Sequence, residues 1–399
     1  MVLFLGCNLL LGQDIEESVQ ISFNLWDVIS EKIQETACET YFPVFSFAEE
    51  KAGRQRDTTI WEELFGSTIP LYDYVETYAV VSDDDMVQEQ SEGKERELQE
   101  EAMEIDGDII EAVKRENESV NLVQEKQKKE EKMPSLTEFV KAEKRYSIDQ
   151  SAFADFNSLV SEFYTVDSTT YIGRDQLNIK KLTEQDMTLQ QKDASKPQIL
   201  IYHTHSQEGF ADSIPGEDDT TIIGAGDKLA QNLREYGFHV IHHTGKYDVE
   251  SRDYAYSNAA PAVEQILEEN PSIEVVIDLH RDQMPQEIRL VTEVEGRPTA
   301  RFMFFNGLSR TSKTGDIDYL QNPNLETNLA FSFQMQVAAQ EYYPGLTRKI
   351  YLKGYRYNMQ YRGKSLLIEL GAQNNTVEEI MNACDPLAHI LWLVLSGEA

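Results

Sequence analysis

From residue 197 onward, short unbroken apolar runs alternate with stretches of helical period. This alternation restricts the fold more than any other feature. PQILIYHTH, FHVIHH, EVVIDLH, EIRLVTEV, ARFMFFNG and SLLIEL read as strands, with KIYLKG and YRYNMQ as further strand pieces. GAGDKLAQNLREYG, AAPAVEQILEENP, NLETNLAFSFQMQVAAQEYYP and TVEEIMNACDPLAHILWLVL read as helices. Runs such as ILIY, VVI and LLI are apolar at every position, the pattern of strands buried on both faces. Strands alternating with helices of about 10–20 residues imply a mostly parallel, helix-covered sheet, an α/β domain over residues 197–399. The closing stretch LAHILWLVL is apolar nearly all round. It falls short of the roughly 20 residues a membrane span needs, so it is expected in the core.

The 399-residue chain has room for more than this domain. The run VLFLGCNLLLG near the N-terminus is too short to span a bilayer and lacks the basic flank of a signal peptide. Residues 1–12 therefore read as a membrane-anchor remnant or, alternatively, as a buried local segment. FLGC lacks the flanks of a lipoprotein site. Residues 13–80 are expected to form a helical appendage, because Val19, Phe23, Trp26, Ile29 and Ile33 recur at helical spacing. Residues 81–135 are rich in Glu, Gln and Lys and contain no aromatic residue. Such a segment cannot bury enough apolar area to offset its ordering entropy, so it reads as an acidic flexible linker. Residues 136–196 regain apolar side chains and form a small accessory lobe. A helix is expected to about residue 163, then an edge strand in FYTVDSTTYIG.

Acidic residues outnumber basic ones 70 to 36, for a formal charge of −34. This excludes a generic nucleic-acid or anionic-surface binder, since phosphate recognition uses Lys and Arg to displace counterions. Cys7, Cys38 and Cys384 are odd in number and far apart. They provide neither a disulfide framework nor a CxxC metal site. A metal would have to sit on His and carboxylates. No GxSxG elbow and no GxxxxGK[ST] phosphate loop occurs.

Three apolar runs end in groups that bind metals or move protons. ILIY leads into His203-Thr204-His205, VVIDL into His280, and LLI into Glu369. Ligands of open parallel sheets bind just outside the carboxyl ends of the strands. Two imidazoles and a carboxylate delivered there can converge, as in a catalytic zinc site with an open position for water. His205, Glu208 and His280 are the expected ligands. Glu208 lies three residues past His205, where the chain leaves the strand, and Asp218 or Glu217 are the alternatives to it. His203 should share the side of His205 and could bind as well, but is expected to support the ligands or to be structural. Asp278 either orients an imidazole or is a buried polar group with a backbone partner. Glu369 is the expected general base, against the simpler reading of a salt bridge to Arg281 or Lys364. His239, His242 and His243 read as a surface or packing trio. Asn374 and Asn375 are expected to cap the final helix.

PQILIYHTHSQEGF with the following ADS, VVIDLHRD and SLLIELGAQNNTVEEI resemble the three signature blocks of the stage II sporulation protein P family of endospore-forming bacteria. They stand in the right order over about residues 160–396. That family is similar to the zinc-dependent N-acetylmuramoyl-L-alanine amidases. The resemblance implies an amidase-like fold, zinc as cofactor, His205 and His280 as ligands and Glu369 as catalytic acid/base. In the broader amidases the carboxylate ligand lies near the start of the next helix. GEDDTTIIGAG offers no clean match there, which keeps Asp218 beside Glu208.

The resemblance further implies peptidoglycan hydrolysis, both at the muramoyl-L-alanine amide and, as an endopeptidase, at stem-peptide cross-links. It implies a single-pass anchor in the cell membrane and an extracytoplasmic catalytic domain. The expected partners are stage II sporulation proteins D and M, acting in septal wall thinning and forespore engulfment. Two rival readings remain, a dinuclear amidohydrolase built on the HxH, and a wall-binding scaffold without catalysis.

Overall fold

The computed structural model describes residues 114–115 and 139–399. The expected anchor remnant and helical appendage lie outside the described residues, as does all but a pair of residues of the expected acidic linker. In chain order the elements are α1 (Phe156–Phe163), β1 (Tyr164–Val166), α2 (Ile179–Thr183), β2 (Ile199–Tyr202), α3 (Ile222–Glu235), β3 (Val240–His242) and α4 (Ala255–Glu269). β4 (Val275–Asp282), β5 (Val291–Val294), β6 (Arg297–Ala300), β7 (Phe302–Gly307), β8 (Arg310–Thr311) and β9 (Gly315–Asp316) follow. The chain closes with α5 (Leu325–Tyr342), β10 (Ile350–Lys353), β11 (Lys364–Ala372) and α6 (Val377–Ser396).

Seven strands form the central sheet in the order β1-β10-β7-β11-β4-β2-β3. Only the β7–β11 pairing in this sheet is antiparallel. The carboxyl ends of β2, β3, β4 and β11 therefore share one edge of the sheet. The fold is α/β with a mostly parallel, helix-covered sheet. Alternate residues of each strand face opposite layers. Ile199, Ile201, Ile277, Leu279, Leu366 and Ile368 enter the main core with side chains of α3, α5 and α6. Leu200, Tyr202 and Val276 point the other way, against Ala259, Val263 and Leu267 of α4.

Local chemistry sets the ends of these elements. Thr376 caps α6 by accepting from the Glu379 N–H, and Glu379 reaches back to the Thr376 N–H. Gly397, at φ 80°, closes the same helix in the left-handed conformation that glycine adopts without strain. The expectation for Asn374 and Asn375 is corrected here. Asn375 points inward, where its Oδ1 accepts from the Ala372 N–H at 2.9 Å and its Nδ2 donates to Leu290 O at 2.8 Å. Asn374 Nδ2 donates to Pro285 O and Ile288 O. Both side chains fasten the 285–290 loop rather than cap the helix.

Three further expectations differ from the structure. Helix in the described part of 136–163 is confined to a 3-10 turn at Gln150–Phe153 and to α1. Asp149 and Asp155 cap these with their side chains and so break the run into two short pieces. YRYNMQ is a turn, because Tyr357 and Asn358 both take positive φ, and it ends in the 3-10 helix Met359–Tyr361. EIRLVTEV yields β5, which pairs with β6 in a separate hairpin rather than joining the main sheet. Residues 139–196 contribute β1 to the sheet edge and Leu159 and Phe163 to the main core. The last helix, α6, is buried along most of its length. No helix among the described residues is long and apolar enough to cross a membrane.

Candidate active site

The carboxyl edge of β2 and β4 carries the groups singled out in the sequence. β2 ends at Tyr202, and the chain then turns through His203, Thr204 and His205 to Glu208. β4 continues through His280 to Asp282. On the neighbouring β11, Glu369 stands in register beside His280. His205, Glu208 and His280 are 8%, 1% and 3% exposed. The His205 and His280 rings meet edge to face with centroids 5.2 Å apart. Glu208 Oε2 lies 3.8 Å from His280 Nδ1.

A buried carboxylate needs hydrogen-bond partners. Glu208 has two. Arg252 donates to Oε1 at 3.0 Å, and the Arg281 backbone N–H donates to Oε2 at 2.8 Å. The alternatives are placed elsewhere. Asp218 is exposed and pairs with Lys246 at 2.8 Å, and Glu217 is exposed as well. The structure thus brings Glu208, not Asp218 or Glu217, beside the imidazoles.

Asp278 is a buried polar group with a backbone partner, the second of the readings made of it. Its Oδ1 accepts from the Thr204 N–H at 2.9 Å and its Oδ2 from the Thr204 hydroxyl at 2.5 Å. Oδ1 also lies 2.8 Å from His280 Nε2, a charge contact without the alignment of a hydrogen bond. Burial alone would depress the His280 pKa. Asp278, Glu208 and Glu369 outweigh it and hold this imidazole above its ordinary range. His205 is pushed well below that range by burial first, then by the charges of His280, Arg252 and Arg281. It is therefore neutral, whereas His280 is charged and would release its proton on binding a metal.

His203 has a structural role, one of the two expected of it, but it does not share the side of His205. The strand ends before it, so the alternation that would place it beside His205 no longer holds. Its Nδ1–H donates to Leu279 O at 2.8 Å. Its Nε2 lies 2.8 Å from His242 Nε2, and His242 Nδ1 lies 2.8 Å from Asp227 Oδ1. Burial and the neighbouring His242 bring its pKa down to about 3, so His203 is neutral and packs against α3. Gly226 on that helix is required there, because a Cβ would stand 2.6 Å from His203 Nε2. His242 thus belongs to this packed pair, while His243 bonds Tyr247.

Glu369 makes no salt bridge to Lys364, which pairs with Glu274 at 2.9 Å. Burial, then the Asp282 carboxylate, push its pKa well up. Asp282 is itself held by Arg348 at 2.5 Å. Glu369 Oε2 and His205 Nδ1 are buried and have no hydrogen-bond partner among the described residues. Buried polar atoms are nearly always partnered, and these two lie in the cluster formed by the paired imidazoles. Two histidines and a carboxylate are the donor set of a catalytic zinc site, and in kind these residues fit one. As they stand, no three His, Cys, Asp or Glu among the described residues are spaced to enclose an ion. The 3.8 Å between Glu208 and His280 compares with roughly 3.3–3.5 Å between ligand atoms on a tetrahedral ion.

Several neighbours carried no sequence signal of their own. Asp248 binds the turn after β2, accepting from the Ser206 N–H at 3.2 Å and the Ser206 hydroxyl at 2.7 Å. Arg252, Tyr256 and Arg348 reach the site from loops and a helix start, and no spacing in the sequence relates them to the histidines, whereas Asp282 ends β4 two residues past His280.

Comparison with known proteins bears on this arrangement. The family model for stage II sporulation protein P matches residues 61–392. Stage II sporulation protein P of Bacillus subtilis (strain 168) is 27% identical over 221 residues, covering 50% of this chain and 51% of that protein. The chain thus spans about half the length of the curated relative it matches. The catalytic domain of the CD27L endolysin targeting Clostridia difficile aligns at TM-score 0.31 and 13% identity, over 50% of this chain and 97% of that one. An N-acetylmuramoyl-L-alanine amidase from Clostridium difficile 630 aligns at TM-score 0.32 and 15% identity, over 51% and 96%. At these scores the two likenesses bear on neither substrate nor mechanism. The family match instead runs through all three strand-end blocks and covers most of the sequence, and the chain belongs to the stage II sporulation protein P family.

Proposed function

We propose that this protein is a zinc-dependent peptidoglycan hydrolase, cleaving the amide between N-acetylmuramic acid and L-alanine and also the stem-peptide cross-links. The observation that carries this reading is the meeting of His205, Glu208 and His280 at one sheet edge with Glu369 beside them. Membership in a sporulation family supports the biological setting. That setting is an extracytoplasmic enzyme anchored in the cell membrane. It thins the septal wall and acts in forespore engulfment with stage II sporulation proteins D and M.

In this reading His205, Glu208 and His280 hold the ion. Zinc in such a site polarises a carbonyl and makes water nucleophilic near neutral pH. Arg252 and the Arg281 N–H fix the direction of the Glu208 carboxylate. Asp278, anchored on Thr204, does the same for the His280 ring. Glu369 accepts a proton from the attacking water and passes it to the departing nitrogen.

Mass spectrometry of purified cell wall after digestion tests the proposal. New L-alanine amino termini are expected from the amidase reaction and opened cross-links from the endopeptidase. Chelation should stop both, and added zinc should restore them. Wall left intact by zinc-loaded protein would reject the proposal and favour a binding module.

A further inference from the structure

We infer that the Tyr256 hydroxyl is a catalytic hydrogen-bond donor, placed to hold the carbonyl oxygen of the scissile amide as it gains negative charge. The inference rests on the hydrolase reading and adds a residue to it. Tyr256 lies in the first turn of α4. Its ring meets the His205 ring edge-on at 5.7 Å between centroids. It lies nearly parallel to the His280 ring, at 6.4 Å and 10°. One phenol therefore borders both imidazoles. It does so on the sheet face that α4 covers, toward which His280 and Glu369 also point by strand alternation.

Two features hold the ring there. Tyr357 packs against it at 5.4 Å in a T-shaped contact. The next residue, Asn358, donates from Nδ2 to the Tyr256 carbonyl at 3.0 Å. Tyr357 and Asn358 both sit in the left-handed backbone region, with φ of 50° and 52°. Such strain persists only where surrounding contacts enforce it. The turn is thus held in an unfavourable shape that sets one tyrosine against another beside the catalytic rim.

Several donors at this rim are committed, while the Arg348 Nε–H and the Tyr357 hydroxyl have no partner among the described residues. Arg252 and the Arg281 N–H bind Glu208, the Arg281 Nε–H goes to Gly209 O, and Arg348 binds Asp282. The Tyr256 carbonyl is engaged by Asn358, while its hydroxyl has no partner among the described residues. A phenol is protonated at neutral pH and so donates. Donors aimed at developing charge act more strongly in a partly dehydrated site than in water.

Tyr256→Phe tests this, because it keeps both ring contacts and removes only the hydroxyl. With a soluble muropeptide, kcat should fall roughly 10²-fold while KM stays within about threefold. Zinc content and Tm should match the unaltered protein. Affinity for a phosphinate mimic of the tetrahedral state should fall by the same factor as kcat/KM. Binding of uncleaved muropeptide should be equal in Glu369→Gln and in the Tyr256→Phe/Glu369→Gln double variant. A kcat within about threefold of normal would overturn the role. So would a loss of rate that comes with lost zinc or a lower Tm, since that marks structural support. If the unaltered protein cleaves no wall amide, the hydrolase reading itself fails, and this role with it.

Discussion

Two buried histidines, His205 at the sheet edge and His389 inside α6, differ in what their ring nitrogens meet. His389 Nδ1 accepts from the Tyr343 hydroxyl at 2.5 Å. Its ring stacks on Trp392 at 5.7 Å and on Tyr236 at 6.0 Å. His205 is comparably buried, yet its Nδ1 has no hydrogen-bond partner among the described residues, and the nearest carboxylate oxygen of Asp248 is 3.9 Å away. Both rings are driven toward the neutral form by burial. Burial and charge state therefore do not separate a packing histidine from a functional one. What separates them is whether the protein itself completes the hydrogen bonding.

The sharpest way to break this comparison is to remove each ring in turn. His205→Ala should abolish zinc retention and hydrolysis together, read by metal analysis and wall digestion. Unchanged zinc content would take His205 off the ligand set. Glu369→Gln should keep zinc but slow turnover by about 10²–10⁴-fold, the usual weight of a general acid/base. A near-normal rate would reject that role. His389→Phe should do the reverse, lowering stability by about 1–3 kcal/mol because the buried Tyr343 hydroxyl loses its acceptor. Zinc content and kcat should not change, and a loss of activity at unchanged Tm would blur the distinction.

The same histidine sets a pH dependence. Burial first, then Lys141, lower the His389 pKa to about 4. The folded value lies below the unfolded one, so the unfolded chain takes up the proton first as pH falls. The stability due to neutral His389 is full above about pH 6.5 and is lost progressively down to about pH 4. Thermal melts across that window should show a shallower acid slope in His389→Phe than in the unaltered protein. Equal slopes would show that the ring is not what titrates. The smallest effect is expected at the α6 cap, where Thr376→Ala should cost about 0.5–2 kcal/mol and leave activity intact, measured by denaturant unfolding.

The sequence carries the sheet well and the site unevenly. ILIY, VVIDL and LLIEL became β2, β4 and β11 because strands buried on both faces leave an unbroken apolar signature. The groups just beyond those runs reached one edge of the sheet for the same reason. Where the reading failed, the cause was local. His203 leaves the side of His205 because the strand has already ended at Tyr202. YRYNMQ looks strand-like by composition, but two left-handed residues turn it. Asn375 resembles a cap, but Thr376 holds that position, with Glu379 completing the box. Tyr256, Arg252 and Arg348 were invisible for a different reason. They arrive through tertiary packing, which leaves no periodic trace in the chain.

The central claim is that His205, Glu208 and His280 share one divalent ion with Glu369 next to it. Anomalous diffraction at the zinc absorption edge, from crystals of the zinc-loaded protein, tests this most directly. The account predicts a single peak within bonding distance of all three side chains, with the Glu369 carboxylate beside it. A peak at other residues, or zinc-loaded crystals with no density between these imidazoles, would contradict it.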